Sequence, residues 1–223
     1  MLIVLTGIDG SGKTTAAEAT VEAARRAGTK ARLLRNYAGR RRMSLLGARL
    51  GVHLPARAAD VIETAIRTLN VLNSHRRARK FRGLVVMDRH LHCQLALRGM
   101  HGLPRGRFLP WLIRTLPAPD LVIYLDIEPQ EAHARILARG TDSERLEDLV
   151  SLRDAYESLP EFSGFTRIAA GGSPDEVLSR VQAAIAKAGG QQPEGCPAGP
   201  APAGPASSGP ASSGPGPGAV PGT

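Results

Sequence analysis

Apolar residues recur along this chain in two rhythms, as short unbroken runs and as stripes three or four residues apart. The runs Leu2 to Leu5, Leu84 to Met87 and Leu121 to Leu125 read as buried strands, and Ala31 to Leu34 and Phe165 to Ala169 as weaker strands. Between them the helical period predicts helices over 15–27, 55–79, 108–116, 129–138, 146–159 and 174–186. The longest, Pro55 to Arg79, places Val61, Ile62, Ala65, Ile66, Leu69 and Leu72 on one face and Glu63, Arg67, Asn70 and Asn73 on the other. Trp111 is assigned to the core, because nothing near it suggests a ligand. Strand and helix alternate, so right-handed crossovers give an α/β fold, a five-stranded parallel sheet with helices on both faces.

Chemistry enters at the turn between the first strand and the first helix. Gly7-Ile8-Asp9-Gly10-Ser11-Gly12-Lys13-Thr14 satisfies every fixed position of the phosphate-binding loop G-x-x-x-x-G-K-[ST], which marks a P-loop NTPase fold. Its glycines let consecutive N–H groups and the helix N-terminus converge on anionic oxygens. Lys13 then reaches the β and γ phosphates, the Thr14 hydroxyl ligates Mg²⁺, and Thr15 continues the cradle. A second anchor is Asp88-Arg89-His90, at the carboxyl end of the strand Leu84 to Met87. A carboxylate there can hold hydrated Mg²⁺, and the adjacent arginine can neutralise phosphate. Arg35 ends another strand and opens a basic loop through Arg40, Arg41 and Arg42; Arg35 faces an anionic substrate in this reading, whereas the other three fit a solvated surface at least as well. Arg135, Arg139 and Arg145 flank Gly140 to Glu144, a short polar cover over about 139–146.

Composition divides the chain of 223 residues. Its hydrophobic content of 42% supports one core over 1–188, whereas 189–223 is nearly all Gly, Pro, Ala and Ser, including two copies of Pro-Ala-Ser-Ser-Gly, and is expected to be disordered. The formal charge is +9, and the tail contributes only Glu194, so 1–188 carries +10. Acidic partners follow; aromatics at 4% are too few for base-stacking platforms, which favours nucleotides over nucleic acid. Cys93 and Cys196 form no disulfide framework, the apolar start is too short for a signal peptide, and no stretch reaches membrane-spanning length. The expectation is a cytoplasmic protein without membrane contact, with no Cys/His metal spacing.

With these residues in place the chain, over nearly all of 1–188, resembles thymidylate kinase and its relatives. That family starts with E-G-x-D-G-x-G-K-[ST]-T, matched here from Thr6 to Thr15, and continues with D-R-[YH], matched by Asp88-Arg89-His90. Its cover follows an R-G step, as at Arg139-Gly140, and closes near Arg145-Leu146-Glu147; an arginine about 21 residues before D-R corresponds to Arg67. The resemblance implies transfer of the ATP γ-phosphoryl to the 5′-phosphate of a nucleotide such as dTMP, with Mg²⁺, in nucleotide biosynthesis. It implies that Asp9 bonds the acceptor sugar, Arg89 and Arg67 hold the acceptor phosphate, and Asp88 organises the metal. Arg35 and Arg98 join the substrate-binding set. Because Ser11 stands where a basic loop residue would otherwise sit, Arg139 or Arg145 would meet transition-state charge. A homodimer is compatible with this reading.

Four departures accompany the match. Thr6 replaces a glutamate, and Arg35-Asn36-Tyr37 replaces R-E-P. Ile62, Glu63 and Thr64 stand where an aromatic stacks on thymine, and Ala96-Leu97-Arg98 replaces A-Y-Q. Two further readings use the same scaffold: a nucleoside or other small-molecule kinase whose acceptor is a hydroxyl, and a non-catalytic nucleotide-binding protein.

Overall fold

The five apolar runs form one parallel sheet in the computed structural model, which describes residues 1–37, 56–140 and 144–190. Arg40 to Arg42, Thr141 to Ser143 of the cover and the tail from residue 191 lie outside the described residues. In chain order the elements are β1 (Leu2–Thr6), α1 (Lys13–Arg26), β2 (Ala31–Arg35), α2 (Ala56–Arg79), β3 (Leu84–Asp88), α3 (Leu91–Met100) and α4 (Phe108–Thr115). There follow β4 (Leu121–Asp126), α5 (Pro129–Arg139), α6 (Leu146–Glu157), a 3₁₀ turn (Pro160–Gly164), β5 (Thr166–Ala169) and α7 (Pro174–Gly190).

Strand order is β2-β3-β1-β4-β5, which puts β1 at the centre with β3 and β4 beside it. Both faces are covered, as the unbroken runs require: Ile3 and Leu5 enter the larger core, whereas Val4 between them joins a smaller one with Leu34, Val85 and Met87. On α1 the inward residues are Ala16, Ala17 and Val21, small enough for the helix to lie close to β3. At the far end the left-handed Gly28 (φ 78°) lets the chain leave α1 and enter β2.

Two local readings need correction. The periodicity does not predict α3, and its burial explains why: Leu91 to Leu97 are all buried, so no polar stripe marks an outer face. Trp111 is not in the core but 53% exposed. Leu109 and Leu112, three residues apart, share the inward face of α4, and a residue between them must point elsewhere. Phe108 shares the outer surface with Trp111, their ring centroids 6.2 Å apart.

Where α2, α3 and β5 meet, three histidines are buried in a row. His75 and His90 approach through their Nε2 atoms at 3.0 Å, the His90 and His92 ring centroids are 5.1 Å apart, and His92 stands edge-on to Phe165 at 5.0 Å. Burial lowers all three pKa values, that of His92 to about 4. The folded state therefore keeps these rings neutral while the unfolded chain binds protons below about pH 6.5, so stability falls as pH drops through 6.5, and the share owed to His92 levels off below about 4. Urea midpoints measured from pH 8 to pH 4.5 should show this decline. His92→Phe should weaken the decline, and an equal pH dependence in that variant would remove His92 from the cause.

Candidate active site

Sheet topology assembles the site. Parallel pairing of β1 with β3 sets Leu5 opposite Asp88, so two chain segments more than 70 residues apart end side by side at the same level. The phosphate loop leaves β1 and runs into α1, whose first residues are Lys13 and Thr14. Gly12 caps that helix in the left-handed region (φ 82°), and a Cβ there would meet nothing within 4 Å, so the approach to the N–H groups is open. Gly10 is constrained from behind instead, because a Cβ would lie 2.4 Å from the carbonyl oxygen of Ala132 on α5. Thr14 Oγ1 donates to Asp88 Oδ2 at 2.7 Å, while Asp88 Oδ1 is buried without a hydrogen-bond partner. A hydroxyl and a carboxylate with spare lone pairs, both at strand and helix tips, fit one hard cation with its waters. Among the described residues no cluster of three or more His, Cys, Asp or Glu forms a metal cage.

Beside this pair the charges are tightly balanced. Asp9 accepts a hydrogen bond from Arg89 and lies 3.4 Å from Lys13 Nζ, which also donates to the carbonyl oxygen of Ile8. Burial alone would raise the Asp9 pKa, but Arg89 and Lys13 hold the carboxyl well below the usual range. Burial lowers that of Lys13, and it opposes the charge on Arg89, which Asp9 nevertheless keeps firmly protonated. Glu144, at the end of the cover, comes within hydrogen-bonding reach of Asp9.

Arg89 is the one non-glycine residue with positive φ (73°) among the described residues. That left-handed backbone is strained for a side chain and persists only when its neighbours hold it. Arg89 N donates to Leu5 O at 3.0 Å, and Asn36 Nδ2 donates to Arg89 O at 2.7 Å. Asn36 also donates its backbone N–H to Asp88 O and accepts from Ser74 Oγ at 2.7 Å, so this buried amide clamps the turn from β2 and α2 together.

Further from the loop, Arg67 is buried on α2 and donates through Nε to Gln94 Oε1 at 3.0 Å, and Gln94 Nε2 donates to Asp60 Oδ1 at 3.1 Å. Asp60 in turn faces Arg98 at 3.7 Å. Arg67 Nη1 is buried without a hydrogen-bond partner. Thr6 donates its hydroxyl to Tyr156 at 3.0 Å and lies 3.3 Å from Cys93 Sγ; burial would raise the Cys93 pKa, but Arg67 and Arg89 bring it down.

The thymidylate kinase family model matches residues 5–181. The chain belongs to the thymidylate kinase family. A probable thymidylate kinase of Pyrobaculum calidifontis is 32% identical over 203 residues, covering 84% of this chain and 97% of its own length. The thymidylate kinase of Xanthomonas oryzae pv. oryzae is 30% identical over 196 residues, 84% of each chain. The protein is accordingly a phosphotransferase of the ATP-dependent nucleoside monophosphate kinase class, and no described helix is long and apolar enough to cross a membrane.

Of the residues named from the sequence, Asp9, Lys13, Thr14, Asp88 and Arg89 converge, and Arg67 and Arg98 lie along the polar chain that runs outward through Gln94 and Asp60. Arg35 is half-exposed and pairs with Glu18 of α1. Arg145 stands at the start of α6, exposed, with Glu147 at 3.3 Å, and Arg139 is exposed at the end of α5. No spacing or motif in the sequence marks Ser74, Asp60 or Gln94. Asn36 alone left a signal, as the middle residue of the segment that departs from R-E-P.

Asn36→Ala strands the Arg89 carbonyl and the Ser74 hydroxyl, at a cost of about 1–3 kcal/mol for unsatisfied buried groups. Urea unfolding should register that loss. Turnover should fall at least tenfold while ATP affinity stays within about twofold; unchanged turnover would make the clamp irrelevant to the site.

Proposed function

We propose that this kinase transfers the γ-phosphoryl of ATP, bound with Mg²⁺, to the 5′-phosphate of a nucleoside monophosphate. The relatives' names supply dTMP as the reference acceptor. The observation that carries the proposal is the Thr14–Asp88 contact with the unpartnered Asp88 Oδ1 beside it, one strand tip from the Asp9–Arg89 pair. Thr14 and Asp88 would hold the ion, directly or through its waters. When bound, Mg²⁺ neutralises phosphate charge and fixes the orientation of the transferring group. Lys13, released from the Ile8 carbonyl, turns its ammonium to the β and γ oxygens. Arg89 and Arg67 meet the acceptor, Asp9 holds Arg89 in place and bonds the acceptor sugar, and Arg139 or Arg145 meets charge as it develops. The protein works in the cytoplasm, alone or as a homodimer.

Removing a preorganised charge from such a site costs on the order of a hundredfold or more in turnover. Lys13→Ala and Asp88→Asn should lose at least that much phosphoryl transfer while melting within a few degrees of wild type, because both groups sit at element tips. Near wild-type turnover in either would sink the proposal. For the cover, Arg139→Ala and Arg145→Ala are measured separately and together. At least one should lower kcat and kcat/KM in parallel with ATP affinity nearly intact, the mark of a group that acts in the transition state. Wild-type kcat in all three variants would pass the role to Arg89 or Arg35.

A further inference from the structure

The end of the sheet away from the phosphate loop has a chemistry of its own. There β2 and β3 start side by side, with Ala31 opposite Leu84. The connections leading into them pack backbone to backbone: Leu84 N donates to Lys30 O at 2.8 Å, and a Cβ at Gly83 would run into the same carbonyl. Topology therefore merges two basic segments that are 50 residues apart from Lys30 to Lys80. Arg25, Arg26, Lys30 and Arg32 come from the passage of α1 into β2, and Arg76, Arg77, Arg79, Lys80 and Arg82 from the passage of α2 into β3. All are exposed except Arg32, which is half-buried with its guanidinium 4.5 Å from the centre of the Phe81 ring.

Part of this charge has a local explanation. Cations suit the last turn of a helix, yet a helix end amounts to about half a negative charge, so the ends of α1 and α2 together answer about one cation. Two carboxylates stand nearby and both are engaged: Glu22 pairs with Arg26 at 3.5 Å, and Asp120 accepts from Leu2 N at 2.6 Å. Among the described residues no carboxylate pairs with Lys30, Arg76, Arg77, Arg79, Lys80 or Arg82. Nine cations against two carboxylates leave a surplus of seven, in a chain whose whole formal charge is +9. Such a face favours a polyanion over a single small anion.

The side chains narrow the choice of polyanion. Seven of the nine cations are arginines, whose planar forks bond phosphate oxygens in pairs. A lipid surface also offers phosphate, but binding there gains much of its strength from inserted apolar side chains. Phe81 is half-buried beneath Arg32, the exposed Val61 and Leu69 lie on earlier turns of α2, and Phe108 and Trp111 belong to α4. Aromatics at 4% of the chain argue against a single strand held by base stacking, whereas a duplex is held through its backbone charge alone.

We propose that this face binds the phosphate backbone of double-stranded nucleic acid without reading its sequence, as a second site apart from phosphoryl transfer. The strand β3 runs five residues from Leu84 to Asp88, which sets the face on the order of 13 Å from the transfer site at about 3.3 Å per residue. A bound duplex therefore leaves the phosphate loop open.

The test titrates the full-length protein with a fluorescent DNA duplex of mixed sequence, about 20 base pairs long, by anisotropy between about 50 and 200 mM salt. Saturating ATP and Mg²⁺ are present, so that the phosphate loop is not what binds. The expected dissociation constant lies at about 10⁻⁶ to 10⁻⁴ M, with a log–log salt slope of about −4 or steeper, since each neutralised phosphate contributes about −0.9. The double variant Arg77→Gln, Arg82→Gln should weaken binding at least fivefold and make the slope shallower by about two, with phosphoryl transfer within about twofold of wild type. Should it not fold, Arg76→Gln, Lys80→Gln carries the same comparison. Arg107→Gln, Arg114→Gln removes equal charge beside α4, which leads into β4, and should change duplex binding less than twofold. Equal weakening by both pairs would assign the effect to overall charge and overturn the proposal. So would a dissociation constant above about 10⁻⁴ M at the lowest salt, or tighter binding to a single strand of the same length. Vesicles of phosphatidylcholine and phosphatidylserine that bind as tightly as the duplex, and lose binding in the same variant, would give the face to a membrane surface instead.

Discussion

Two cations, Lys13 and Arg89, are largely withdrawn from water beside two carboxylates, Asp9 and Asp88, and most of the site's design answers to that close balance. Taking a charge out of water costs several kcal/mol unless partners replace the lost solvation. Asp9 serves both cations at once. Thr6 adds no charge to the balance: its hydroxyl is spent on Tyr156 and Cys93, where the family's glutamate would have brought another negative charge. Phosphate entering the site therefore competes with Asp9 for cations that are already paired.

The sheet makes this arrangement affordable in geometry. Because β1 and β3 are paired in register, the two tips carrying the phosphate loop and Asp88-Arg89 cannot drift apart without breaking central ladder hydrogen bonds. Asn36 extends the same control sideways, since β2 pairs with β3 and delivers one asparagine whose backbone N–H bonds the Asp88 carbonyl and whose side-chain amide bonds the Arg89 carbonyl and Ser74 of α2. The reactive groups sit on loops, yet each loop is pinned within a residue or two of a buried strand.

Legibility in the sequence followed the reach of each signal. The phosphate loop is local, a contiguous pattern with obligatory glycines, and the unbroken apolar runs at Leu2 to Leu5, Leu84 to Met87 and Leu121 to Leu125 marked the three central strands, whereas the two edge strands, interrupted by Arg32 and by Thr166 and Arg167, left a weaker signal. The helix α3 escaped for the converse reason, since a helix buried all round has no amphipathic stripe to read. Trp111 was misplaced because side-chain size argues for burial only on average, whereas position on an eight-residue helix decides the face. The polar chain from Arg67 to Asp60 and the Asn36 clamp join residues distant in sequence, and no spacing rule encodes such contacts. The D-R motif gave the identity of Arg89 but not its backbone conformation.

That conformation has a consequence for how the protein can change. At φ 73° a glycine would be the more comfortable occupant of position 89, by of order 1 kcal/mol or more, and would bring no guanidinium. Selection for thermal robustness and selection for phosphate chemistry therefore pull this one position in opposite directions. A lineage or an engineering campaign rewarded only for heat tolerance has an easy downhill step here, and taking it trades the enzyme for a sturdier protein that no longer holds its acceptor.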